Sequence, residues 1–325
     1  MAARGLDGLL VYTDVWRSGQ VRYLTNFIPY WNQGVLLFPR EGEPVLAAGL
    51  SARVYPWIRE TSTVTTIVSG PSLGQEVATQ VKKLSWRHVG VGERDTMPHG
   101  ILNALAEGLP DCELVDATDV LDGLRSEVDE AGLALYRKAT EIATQGFAEV
   151  SADLPGKTGW QAASLLERAL RRRAATDTVI LLAPHAQDWP AYPGDKTMTS
   201  GGVALVAVEY KGHWVEIGRP LANGNPAVRA EYARAVEMLR PGASLQSLRN
   251  EIGRGGSLRD PTLLVSATHR SFPFTQLDSL AGLPRGTVIA LHLSGTDQKG
   301  ARWWWGDPLL VEEDRARPLL PERER

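Results

Sequence analysis

Val203-Ala-Leu-Val-Ala-Val-Glu-Tyr-Lys-Gly-His-Trp-Val-Glu-Ile-Gly-Arg-Pro220 is the stretch on which the fold turns. Val203–Val208 is a continuous apolar run of strand length. Lys211-Gly212 is a hairpin tip, and His213–Ile217 returns beside the first strand. Trp214 and Glu216 are two apart, so a strand places them on one face. Upstream, Asp129–Val150 repeats apolar residues at Leu133, Tyr136, Ala139, Ile142, Ala143 and Phe147, a helical period. Ser126 reads as its N-cap, with Asp129 and Glu130 in the first turn. Pro155-Gly156 ends it, and Trp160–Arg173 is a second amphipathic helix. Val179–Leu182 is a further strand. Downstream, Ala227–Arg240 and Leu245–Ile252 read as helices, and Leu263–Ala267, Thr287–Leu293 and Leu309–Glu312 as strands. Helices followed by an antiparallel sheet define an α+β domain over residues 126–325.

The first 125 residues have another pattern. Short strands at Gly8–Tyr12, Gly34–Phe38, Pro44–Ala48, Thr65–Val68 and His88–Val91, with a helix at Gly100–Gly108, describe an α/β layer domain. A chain of 325 residues is the length of about two domains. Its formal charge is −3, which leaves no electrostatic footprint for nucleic acid or an anionic membrane. Arg171–Arg173 reads as a solvated helix face. The longest apolar runs fall far short of the ~18 residues that a membrane span needs. Asp7 interrupts the apolar N-terminus, so that segment reads as a first strand and not a signal peptide. Cys112 is the single cysteine, which excludes an internal disulfide and makes a reducing, cytoplasmic setting the expectation. There is no G-x-S-x-G, Walker A or Rossmann glycine pattern. Gly253-Arg-Gly-Gly256 lacks the Lys-[Ser/Thr] of a phosphate loop.

Six segments, in order, carry a resemblance. They are Arg22-Tyr-Leu-Thr-Asn-Phe27 with Gly34-Val-Leu-Leu-Phe-Pro39; Arg125-Ser-Glu-Val-Asp-Glu130 with Leu135-Tyr-Arg-Lys-Ala139; Pro193-Gly-Asp-Lys196; Lys211–Arg219; Leu283–His292; and Asp307–Glu313. Together they resemble the creatinase, prolidase and aminopeptidase P superfamily, the pita-bread fold. The resemblance implies a creatinase-type N-terminal domain (1–125) and a pita-bread domain (126–325). It also implies a homodimer in which Trp31 and Asn32 reach toward the partner's cleft, as pocket wall or as interface packing.

Peptidases of that superfamily hold two metal ions on two aspartates, one histidine and two glutamates. Those positions fall here at Leu205 or Ala207, Glu216, near Thr262, His292 and Gly306. One carboxylate and one imidazole remain, so no metal and no other cofactor is expected. Creatinase, a metal-free member, uses a histidine and a glutamate whose positions fall at Pro190 and Gly218, so creatine hydrolysis does not carry over. The family's second histidine matches His269. The pseudo-twofold of the fold implies that Glu216 and His292 face each other with His269 beside them.

A carboxylate beside an imidazole is an acid–base pair or, equally, a residual polar pair satisfying itself. Trp304 takes the metal-bearing face, where it lines a pocket or plugs it; Trp303 and Trp305 point the other way. Trp189, Tyr192 and Trp214 add aromatic surface suited to a planar or cationic ligand. Arg219 is a structural ion pair or a carboxylate-binding group. Asp195 and Lys196 read as structural, and His185 is the other histidine near the site. The expectation is a metal-independent enzyme acting on a small polar or aromatic substrate. Glu216, His292 and His269 would transfer protons, with C–N hydrolysis foremost and lyase, decarboxylase or isomerase chemistry beside it. A non-catalytic pita-bread binding module is the other reading.

Overall fold

The computed structural model describes residues 1–30, 32–221, 225–254, 258–268, 273–277 and 285–319. It divides into two compact units, Met1–Arg125 and Ser126–Arg325.

The first unit contains β1 (Gly8–Thr13), α1 (Gly19–Thr25), β2 (Gly34–Pro39), β3 (Val45–Ala48), α2 (Tyr55–Thr61) and β4 (Thr66–Val68). It continues with α3 (Leu73–Lys83), β5 (His88–Gly92), α4 (His99–Gly108), β6 (Glu113–Asp116) and α5 (Thr118–Ser126). The sheet order is β4-β3-β2-β1-β5-β6. β1 runs parallel to β5 and antiparallel to β2. Every residue of β1 is buried, as expected for a central strand covered on both faces. One core cluster joins Val77, Val81, Ile101 and Leu105 of α3 and α4 to Leu10 and Val35. Another joins Val21, Ile58 and Leu121 to Leu9, Val11 and Leu36.

The second unit opens with α6 (Glu130–Val150), α7 (Gly159–Arg171), β7 (Asp177–Ala183), β8 (Val203–Tyr210) and β9 (His213–Pro220). Then come α8 (Pro226–Met238), α9 (Leu245–Arg254), β10 (Arg259–Ala267), β11 (Val288–Thr296), β12 (Arg302–Val311) and β13 (Ala316–Pro318). The sheet order is β10-β11-β12-β9-β8-β7, with β13 paired to β12. Lys211 and Gly212 both have positive φ, 49° and 90°, the requirement of the tight hairpin turn between β8 and β9.

Two expectations shift. Ser126 ends α5, and the N-cap of α6 is Asp129, whose Oδ1 accepts from Gly132 N–H at 2.7 Å. Both residues are good caps, but only Asp129 sits three residues before an amide that needs a partner. The last long strand begins at Arg302, not Leu309. Gly306-Asp307-Pro308 has a turn's composition, yet pairing with β11 continues through it.

α6 and α7 pack on β7–β9 through Val206, Val208, Val215 and Ile217. α8 and α9 pack on β10–β12 through Val265, Leu291, Leu293, Leu309, Trp303 and Trp305. Strand alternation turns Glu216, Gly218, His292, Trp304 and Gly306 to the opposite face. Among the described residues no helix is long and apolar enough to cross a membrane.

Candidate functional site

β9 and β12 meet in the middle of the second sheet, where Gly218 pairs with Gly306. On the other side of β12, Gly306 pairs with His292. Two adjacent glycines leave a gap in the sheet face, and two rings fill it. A Cβ on Gly306 would lie 2.0 Å from His292 Nδ1, and one on Gly218 would lie 2.6 Å from Trp304 Cδ1. Glycine is therefore required at both positions by close approach.

The rings form a hydrogen-bonded chain. Trp304 Nε1–H donates to His292 Nδ1 at 3.3 Å. An indole nitrogen only donates, so Nδ1 accepts and the imidazole proton sits on Nε2. Nε2–H donates to Glu216 Oε2 at 3.1 Å. Glu216 Oε1 accepts the Phe274 backbone N–H. Glu216, His292 and Trp304 are 0%, 2% and 3% exposed. Each polar atom of the carboxylate–imidazole pair thus has a protein partner in a water-poor setting, as burial demands. Around them Ala183, Val203, Leu205 and Trp304 form a small apolar cluster, with Leu181, Leu264 and Phe274 against it.

This packing occupies positions where the resemblance places the ligands of a dinuclear metal centre. Leu205 is part of the apolar cluster. The imidazole occupies the space that a side chain at 306 would need. Both donor residues that remain are bound to each other. Among the described residues no three His, Cys, Asp or Glu side chains gather to hold a metal. The donor set does not fit two metal ions of the hard carboxylate type.

The other expected site residues separate into groups. Trp214 is buried on the strand face of Glu216, across from Glu209. Trp189 is half-exposed, and its ring meets Trp304 edge-on at 5.7 Å between centroids. Tyr192 lies three residues further on and is 79% exposed. Of the two readings of Arg219 the structure has the ion pair and not the carboxylate-binding group, since strand alternation turns it to the helix-covered face. There it pairs with Asp307, bonds the Gly306 carbonyl and stacks on Trp305 at 4.4 Å. Its donors serve the β9–β12 junction and not a ligand beside Glu216. Trp31 and His269 lie outside the described residues.

Sequence reasoning missed the Gly218–Gly306 pairing as the reason the rings fit, and it missed Arg302. Small residues facing large ones across a strand pair were the available signal for the first. For Arg302 the signal was its two-residue spacing from Trp304, which sets both on one face. Nearby, burial pushes the Asp297 carboxyl up, but hydrogen bonds from Trp303 Nε1 and the Ala301 and Lys299 amides outweigh it and hold it below its ordinary value.

A two-unit chain with an α/β sheet first and a helix-backed antiparallel sheet second defines the class to which it is compared. Residues 1–126 match the family described as the Creatinase/Prolidase N-terminal domain. No curated protein sequence matches the chain. Solved structures do match over nearly its whole length. X-Pro aminopeptidase from Thermotoga maritima shares 17% identity at a TM-score of 0.79, covering 98% of this chain and 96% of that one. Xaa-Pro dipeptidase from Bacillus anthracis shares 19% at 0.77, covering 98% and 94%. Prolidase from Pyrococcus furiosus shares 19% at 0.75, covering 98% and 97%. The chain carries a creatinase-type N-terminal domain and has the pita-bread fold of the creatinase, prolidase and aminopeptidase P superfamily.

Proposed function

We propose that this chain is a metal-independent member of the prolidase-like fold whose helix-opposed face binds a small ligand or peptide in place of metal-activated hydrolysis. One observation carries the reading: the closed Trp304–His292–Glu216 chain, which fills the gap over Gly218 and Gly306 and leaves no polar atom of the pair free. A general acid or base must reach the proton it moves. Here both imidazole nitrogens and both carboxylate oxygens are already committed.

The test is an assay of Xaa-Pro dipeptide cleavage by purified protein after EDTA treatment and again with added Mn²⁺, Co²⁺ or Zn²⁺. The reading expects no metal-stimulated cleavage and no stoichiometric metal retained after gel filtration. Metal-dependent turnover would overturn it.

A second reading is favoured by the 3.1 Å carboxylate–imidazole contact and its fixed tautomer. In it, Glu216 and His292, with His269 as further proton carrier, act on a small polar or aromatic substrate once Trp304 swings aside. Cleavage of a C–N bond is the leading reaction, with lyase, decarboxylase and isomerase chemistry served by the same proton transfers. Metal-free turnover that disappears in both Glu216→Gln and His292→Ala would establish this reading over the first. A homodimer belongs to either reading, with Trp31 at the interface or near the partner's site. Sedimentation at a single species of one chain's mass would remove it.

A further inference from the structure

Arg302 opens β12 on the same strand face as Trp304 and Gly306, across from Thr296. Its guanidinium carbon lies 4.3 Å over the Trp189 ring. Nη1 donates to Ser294 Oγ at 3.3 Å, and the backbone N–H holds the Ala186 carbonyl at 2.8 Å. Stacking and that one bond fix the plane of the fork. The guanidinium carries five N–H donors, and among the described residues none meets a carboxylate.

Asp188, next to Trp189 in the sequence, has the Lys196 ammonium at 3.5 Å, and its Oδ2 takes no hydrogen bond among the described residues. Asp297 takes Trp303 Nε1 and two backbone amides. Glu216 takes His292 and Phe274. Under the fork, half of Trp189 stands in solvent. An oriented guanidinium with no ion-pair partner among the described residues, stacked on a half-exposed indole, is complementary to a carboxylate attached to a planar or apolar group.

We infer that Arg302, stacked on Trp189, is the carboxylate-binding element of this face, and that the ligand is an aryl-bearing carboxylic acid or the C-terminal carboxylate of a peptide. This rests on the reading of the face as a binding surface. It adds the class of ligand and the residue that selects it.

The test is a ligand-observed NMR titration of the full chain in EDTA. The probes are N-acetylphenylalanine against its C-terminal amide, and benzoate against benzamide. At least one acid is expected to bind about tenfold tighter than its amide, the scale of a charge-assisted bidentate contact. Arg302→Gln should abolish that preference, and Arg302→Lys should restore only part of it, because an ammonium lacks the planar fork. Trp189→Ala should weaken acid and amide together. Preference confined to N-acetylphenylalanine assigns the source as a peptide C-terminus; preference in both pairs assigns aryl acids generally. Equal binding of acid and amide, no binding of either, or a preference that survives Arg302→Gln in a folded variant overturns the inference. EDTA separates this outcome from the metal assay, so metal-dependent hydrolysis could appear while the acid preference stands, and the reverse.

Discussion

Trp304 sets the state of the two residues beneath it. Its indole N–H fixes the tautomer of His292, and that tautomer lets Nε2–H serve Glu216. Trp304→Phe keeps the ring in the gap and deletes the donor. It should cost about 1–3 kcal/mol, the price of a buried acceptor left alone. His292→Ala should cost more, roughly 3–5 kcal/mol, because it strands a fully buried carboxylate. Urea denaturation of the two variants checks the order. A His292→Ala variant as stable as the parent would show that the carboxylate is not held by this pair. That Glu216, His292 and Trp304 share one strand face was legible from strand alternation and the resemblance. Their burial was not legible. It depends on which segments cover the face, and strand periodicity carries no information about that. Arg219 was ambiguous for the same reason: its partner Asp307 lies 88 residues away along the chain.

At the scale of elements, the β9–β12 junction depends on two glycines. Gly306→Ala should destabilise by about 1–3 kcal/mol, since the new methyl meets the His292 ring and neither β-strand can withdraw. Gly100→Ala, where nothing stands within 4 Å of the new atom, should be neutral or slightly stabilising in α4. Thermal denaturation of the pair separates the effect of the rings from the loss of a glycine. A second junction lies between β1 and β5. There, backbone N–H groups of His88 and Arg87 donate to the Asp7 carboxylate at 3.0 and 2.8 Å and hold its pKa below the ordinary 3.8. A depressed folded-state value contributes stability above the unfolded pKa that is lost as pH falls through the folded one. Asp7→Asn should therefore lose stability at neutral pH and show a shallower acid limb below about pH 4. An acid limb identical to the parent's would contradict the role of Asp7. The strands themselves were readable from apolar runs. The short helices α1 and α2 and the strand β6 were not, because each is held by its neighbours more than by its own periodicity.

At the scale of the molecule, the same two-unit architecture serves named peptidases at 17–19% identity. Fold alone does not transmit their activity. In this chain Leu205, Trp304 and their apolar neighbours pack around Glu216 and His292, at positions where the resemblance places metal ligands. The measurement that tests this most directly is a crystal structure of the protein grown with excess Mn²⁺ and Zn²⁺, read through anomalous difference density between Glu216 and His292. The account predicts no metal peak there and Trp304 Nε1 still bonded to His292 Nδ1. One or two metal ions coordinated by Glu216 and His292, with Trp304 displaced, would contradict it.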